Sequence, residues 1–336
     1  MDAPLHRRLL SKEADLQRES PLFSLFPPEI RAKIFTHALS DYEDTDASYN
    51  TDTCFSRPSY FAPRKTSVEL LRTCRAVYRE TWFLPFILKE QTHWLTVSDR
   101  APPGYHEEHD IPELKELLPE IARRLGQDKI EIESLHAFAQ MWRVEQGGLA
   151  FLLNTKGLHP RHLTLTIRHT DWWFWEDDEP LRFEAGWIKQ ASKAMSPSTQ
   201  DFQIELESLE RKKDQVDAIG KHMAEHWFFR RSDGTVLYAD VSGKCHKISR
   251  WTGTSTWHDH RWTRDENERG KLDYYILTVT FASELALGRK GGVVSARAKR
   301  NAEEGIYLSA KAARRAGEDF EYQTDGDGDG TDEDGD

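Results

Sequence analysis

The sequence predicts a mixed α and β protein: a helical N-terminal module packed on a mixed, partly parallel sheet with crossover helices, ending in a disordered acidic C-terminal tail. Three observations carry this. Apolar residues recur at helical spacing after Pro28 and after Thr66, whereas HLTLTIR (162–168) and FQIELESL (202–209) alternate strictly, the period of a half-buried strand. A stretch long enough for a crossover helix separates those two strands, which is the connection that neighbouring parallel strands need. The last twelve residues, DGDGDGTDEDGD (325–336), contain no apolar side chain and cannot contribute to a core.

Residues 1–20 read as a polar leader, and 21–97 as a helical module interrupted by a long polar loop at 40–65. Its first helix starts at Pro28, a residue suited to the first helical turn, and places Ile30, Ile34 and Ala38 four apart on one face. The second opens with a Thr66–Glu69 capping box and has Val68, Leu71, Cys74, Tyr78 and Trp82 as its apolar stripe, ending or kinking at Pro85. QTHWLTV (91–97) reads as a short strand.

Residues 98–283 form a tryptophan-rich α/β domain, since nine of the eleven tryptophans lie between Trp142 and Trp262. IPELKELLPEIARRLG and SLHAFAQMWRVEQ read as helices, the latter broken by Gly147 and Gly148. PLRFEAGWIKQASKAM reads as a helix between the two alternating strands. RKKDQVDAIGKHMAEHWFFRR is a strong helix with Val216, Ile219, Met223 and Trp227 on one face. SDG (232–234) is a turn before TVLYA, CHKISRWTGTSTW and LDYYILTVTFA, the last apolar on both faces and so a central strand. Residues 284–336 read as a disordered tail, basic and then acidic, in which AEEGIYLSAKAARRA is at most a transient helix.

The charge distribution and the cysteines exclude several classes. The net charge of −11 owes most to residues 318–336, which carry ten acids and no base. Residues 288–315 carry eight bases against two acids, and the rest of the chain is mildly acidic, which argues against a nucleic-acid-binding face. No stretch approaches the roughly 18 apolar residues of a membrane span, and residues 1–20 lack the apolar core of a secretory signal. Three scattered cysteines, without a CxxC pair, fit a reducing compartment, cytoplasmic or nuclear.

Four segments hold candidate chemistry. HTDWWFWEDDEP (169–180) is the densest: Trp172, Trp173 and Trp175 beside Asp177, with Arg168 just before, form a candidate pocket for a basic or aromatic ligand. The competing reading is structural, with indoles packed over a sheet edge and Asp177, Asp178 and Glu179 at a helix start near Pro180. WHDHRW offers His258 and His260 as weak metal candidates, but no second cluster completes a ligand set, and no cofactor is expected. Asp325, Asp327, Asp329 and Gly330 imitate a calcium loop whose twelfth position is Asp336 rather than glutamate. RAKR (297–300) is a short basic run of the kind that is usually solvated. Glycine-rich phosphate loops, GxSxG and HExxH are absent, so no enzyme class is indicated.

LFPPEIRAKIF (25–35) resembles the opening of the F-box, whose first helix begins with a Leu-Pro-x-Glu-Ile/Leu core. LLRTCRAVYRE (70–80) is similar to its later segment, where a Cys-Arg pair precedes an aromatic residue. Together they resemble the F-box-like modules of a protein family of filamentous (ascomycete) fungi, in which such helices precede a strand like QTHWL. HPRHLTLTIRHTDWWFWEDDEPLRF and RWTGTSTWHDHRWTRDE are also similar to that group. The resemblance covers residues 20–97 and, more loosely, 158–281, and carries no catalytic activity. It implies a protein-interaction protein, the substrate-recruiting subunit of a ubiquitin ligase, with Pro28, Ile30, Ile34, Leu71 and Tyr78 facing a Skp-type adaptor. Two departures stand out: Phe26 replaces the usual leucine, and a polar loop of 26 residues separates helices that an F-box joins tightly. The alternatives are a freestanding interaction domain, and a ligand-binding or enzymatic domain built on residues 171–179 with His260.

Overall fold

The Phe26-Pro27-Pro28 step fixes where the first long helix begins in the computed structural model, which describes residues 5–257 and 260–312. Pro27 is the N-cap in an extended conformation and Pro28 takes the first helical position, where a missing N–H leaves no hydrogen bond unmade. This helix, α1 (Pro28–Ala38), buries Phe35 and, just past its end, Leu39. Ile30 and Ile34 are each 38% exposed.

Contacts divide the chain into two units: residues 1–136, 155–163 and 253–271 form the first, and 137–154, 164–252 and 272–336 the second. In the first unit, the polar leader holds a short helix, Leu5–Ser11. The segment expected to be one surface loop carries a two-stranded ladder, Asp41–Glu43 against Arg64–Thr66, and buries Phe55, Tyr60 and Ala62. Thr66 thus ends a strand and caps nothing, so the expected capping box is not formed. The expected second helix is a single 3-10 turn, Leu70–Arg72, followed by α2 (Arg75–Thr81). Cys74 is the extended N-cap of α2, Val77, Thr81 and Trp82 are buried, and Val68 is exposed. Pro85 opens a further short helix, Leu84–Leu88, rather than ending one.

The strand β1 (Gln91–Leu95) follows, and then α3 (Glu107–Arg124), which buries Leu114, Leu118 and Ile121. β2 (Ile132–Ala139) starts in this unit beside β1, with the start of β3 (Pro160–Ile167) on its other side. The Ile132 N–H donates to the His159 carbonyl (3.1 Å), start of strand to start of strand, so β2 and β3 run parallel. SLHAFA was expected to be helical and is instead the body of β2, with only Met141–Glu145 turning into helix.

The second unit carries the ends of β2 and β3 and then α4 (Gly186–Ala194), β4 (Asp201–Leu209), α5 (Lys213–His226), β5 (Phe228–Arg230), β6 (Val236–Ala239), β7 (Lys247–Thr254), β8 (Lys271–Ser283) and α6 (Ala296–Glu304). The strand order is β2-β3-β4-β8-β6-β5, with β7 also on β8. The helical connection through α4 is what lets β4 lie beside β3, whereas β4–β8, β8–β6 and β6–β5 are antiparallel. The sheet is therefore mixed, and β8 is interior, as its two apolar faces predict. Residues 180–185, expected to be helical, hold the short strand Arg182–Phe183, and helix begins only at Gly186.

The expected tail from 284 is folded as far as 312. Glu284–Arg289 and α6 are helices, both capped by serine side chains, Ser283 and Ser295. Ala298, Asn301 and Ala302 of α6 are buried, and Ala310 pairs with Phe183. The acidic run 325–336 lies outside the described residues. The three cysteines form no disulfide. Among the described residues, no helix is long and apolar enough to cross a membrane.

Candidate functional site

Two places in the first unit present side chains for binding: the outer face of α1 and a cavity behind the ladder at 41–66. The α1 face follows from volume. Phe35 and Leu39 are the residues that pack inward, which turns Ile30 and Ile34, one turn apart, towards solvent. Leu25 (73% exposed) and Phe26 lie in the entry to the helix, and Pro28 is exposed at its start. Arg31 fixes the helix from the side. It donates to both Glu80 oxygens (3.2 and 3.0 Å) and to the Phe26 carbonyl (2.9 Å), and its guanidinium lies 5.1 Å over the Phe23 ring. The arginine of PPEIR is thereby tied to the glutamate of CRAVYRE. Of the expected partner-facing residues, Pro28, Ile30 and Ile34 are open, whereas Leu71 and Tyr78 are half-buried. Burial raises the Tyr78 phenol above its ordinary value, against a small opposing effect of the Arg124 charge.

The cavity measures about 650 Å³ and is walled by Tyr49, Tyr60, Phe86, Trp94 and Tyr105, with Leu114 of α3 among its apolar residues. Its polar groups include Glu90, Arg64 and His93. Glu90 Oε1 accepts from the Tyr60 hydroxyl, and the same hydroxyl meets Nδ1 of His136. A hydroxyl carries one proton and Glu90 takes it, so the second hydrogen bond is donated by His136 Nδ1–H. Burial would raise the Glu90 carboxyl, but nearby His136, the hydrogen bond from Tyr60 and the charge of Arg64 outweigh it and hold it at about 2. Arg64 is itself bound to Asp41, and the Glu90 N–H donates to the same carboxylate (3.3 Å). Sequence spacing offers no path to this group: Tyr60, Glu90 and His136 lie far apart along the chain, and Tyr60 sits in what reads as a surface loop.

In the second unit, the aromatic-acidic segment is built as structure. Arg168 and Asp171 form a buried pair (Nε–Oδ2 2.6 Å, Nη2–Oδ1 3.0 Å) that closes the turn after β3. Trp172 is buried and donates to the Glu207 carbonyl (2.8 Å). Trp175 is buried edge-on to His169. Trp173 is half-buried and donates to both oxygens of Glu145 (2.9 and 3.0 Å), whose carboxyl is raised chiefly by burial. The acids stand at a tight turn, not a helix start: Asp178 has φ 59° and binds Arg211 and Lys212, while Asp177 is exposed. The segment's exposed ring is Phe174, with Arg182 5.5 Å from its centre. The expected pocket residues are thus not gathered around open space.

His260 is exposed and lies edge-on to Trp262, centres 4.5 Å apart; His258 lies outside the described residues. Among the described residues, no group of three or more potential ligands could hold a metal ion. Compared with known protein families, with curated proteins and with solved structures, the chain matches none.

Proposed function

We propose that the chain is a protein-interaction protein that docks through the outer face of α1, and that its partner is a Skp-type adaptor, which would make it an F-box-like substrate-recruiting subunit of a ubiquitin ligase. The observation that carries this reading is the outward placement of Ile30 and Ile34 beside exposed Leu25 and Phe26. Branched aliphatic side chains lined along one helix face are what an amphipathic helix lays against an apolar groove. The clamp between Arg31 and Glu80 supports it further, because it holds the two resembling segments in one fixed relation. Pro28, Ile30 and Ile34 carry the contact; half-buried Leu71 and Tyr78 support the helices from behind. The body, which buries Trp172, Trp175, Trp187, Trp227 and Trp257, presents other surfaces to a substrate.

Calorimetric titration of the full chain with a purified Skp-type adaptor tests this. Saturable binding is expected, with a loss of about a hundredfold in an Ile30→Asp, Ile34→Asp double variant, the effect of placing two charges in a desolvated contact. Both positions are exposed, so the variant is expected to fold, which circular dichroism checks, and its failure to bind then reports on the surface. No binding by the folded native chain would remove the adaptor and leave the freestanding interaction domain.

A further inference from the structure

We propose that the cavity of the first unit binds a small organic cation: a protonated amine carried on an aromatic or apolar body. The carboxylate of Glu90 is the anchor. Tyr60 and Thr92 both donate to Oε1, the latter at 3.4 Å, and His136 approaches that same oxygen at 3.9 Å. Among the described residues Oε2 takes no hydrogen bond, although the side chain is 24% exposed and lines the cavity. An ionised oxygen in a mostly buried wall, held from behind on one side only, is an acceptor that a charged N–H donor satisfies.

The other charges of the wall leave room for the same ligand. Arg64 is neutralised by its bond to Asp41, which removes the strongest competing site for an anion. Lys89 is exposed at the rim, and Glu113 of α3 adds a second acid. The rings of Tyr49, Phe86, Trp94 and Tyr105 line the space, and a cation over an aromatic face is attracted by the ring quadrupole. Pro102 and Pro103 complete an apolar wall for the body of the ligand. A volume near 650 Å³ is that of an ordinary small-molecule site, which spans roughly 300–1,000 Å³.

Three probes of one skeleton separate the chemistry: phenethylammonium, neutral 2-phenylethanol and anionic phenylacetate, each followed by ligand-observed NMR on the full chain. Saturable binding of the ammonium alone is expected, weakened about tenfold or more by Glu90→Gln, since a charge-assisted hydrogen bond becomes a neutral one. Val68→Trp is the second variant. Val68 lines the cavity and is 48% exposed, so an indole there obstructs the mouth without touching the Tyr60–Glu90–His136 chain, and it is expected to abolish binding. Phenylacetate binding as well as the ammonium, or no binding of the ammonium by folded native chain, overturns the proposal. Retained affinity in both variants also overturns it. Should Glu90→Gln fail to fold, the charge preference of the native chain and the Val68→Trp variant decide between these results.

Discussion

The helix α1 and the segment from Trp172 to Trp187 are both rich in apolar side chains, and the fold uses them in opposite ways. Along α1, Ile30 and Ile34 face water while Phe35 and Leu39 take the inward positions. In the second unit, Trp187 is 2% exposed, stacked 5.7 Å from Phe183 and edge-on 6.1 Å from Trp227. Phe202, Phe229 and Phe281 continue this aromatic layer over the sheet, at ring separations of 4.7 and 4.8 Å. The difference teaches that aromatic density marks enclosure here, whereas a sparse aliphatic pair at a helix start marks an open surface. A ring of 150–250 Å² gains most by leaving water completely, while a helix with two apolar sides can bury only the one with the better fit.

The largest way to break this contrast is to hollow the buried side. Trp187→Ala should cost about 3–5 kcal/mol in urea unfolding, the loss of a large aromatic from a packed core. A cost under about 1 kcal/mol would mean that the aromatic layer is not close-packed. Next comes the buried pair at the turn after β3, with side-chain exposures of 2% and 0%. Asp171→Ala removes the carboxylate that faces the buried Arg168 charge and should cost about 3–5 kcal/mol, of which a double change with Arg168→Met restores most. Equal destabilisation by the single and double variants would contradict that account.

Acid should loosen the C-terminal elements by a smaller amount. His222 and His226 on α5 lie 4.7 Å apart, under Asn301 of α6, which donates to the His226 carbonyl (3.0 Å). The Leu308 carbonyl accepts from both His222 (2.9 Å) and Trp227 (2.7 Å). Burial, then the charges of His222 and Arg297, hold His226 down at about 4, with Glu225 3.9 Å away as the acid nearby. Its folded value lies below the ordinary one near 6.5, so the unfolded chain takes up the proton first. Stability is full above about pH 6.5 and falls as the pH drops towards 4, by about 1–3 kcal/mol. His226→Gln should flatten that slope in denaturation curves recorded between pH 7.5 and 4.5; an unchanged slope would assign it to other groups. The smallest effect belongs to α1: Ile30→Asp with Ile34→Asp should change stability by less than about 1 kcal/mol, since neither side chain is enclosed.

Legibility in the sequence followed the same divide. HLTLTIR, FQIELESL and the helix from Lys213 to His226 were readable because each has one buried face over at least seven residues. SLHAFA was misread as helix because β2 is covered on both faces, and a short run that is apolar throughout carries no period. The stretch from 284 to 312 reads as disordered because its apolar residues, many of them alanines, are interspersed with charges and glycines. What folds it is tertiary: the Arg230 guanidinium donates to the Ala302 carbonyl (2.8 Å), and Ala310 pairs with Phe183. The apolar spacing of Ile30 and Ile34 was visible, but their direction was not, since it depends on Phe35 and Leu39 finding the core. Residues around the cavity come from five separate stretches, and only folding brings Tyr60 to Glu90.

Backbone hydrogen exchange of the full chain, recorded with and without the Skp-type adaptor, tests the outward role of α1 most directly. Added protection confined to residues 25–38, with none at 172–187, is the predicted result. Protection over the aromatic segment instead, or none along α1 under conditions where the adaptor is bound, would contradict it.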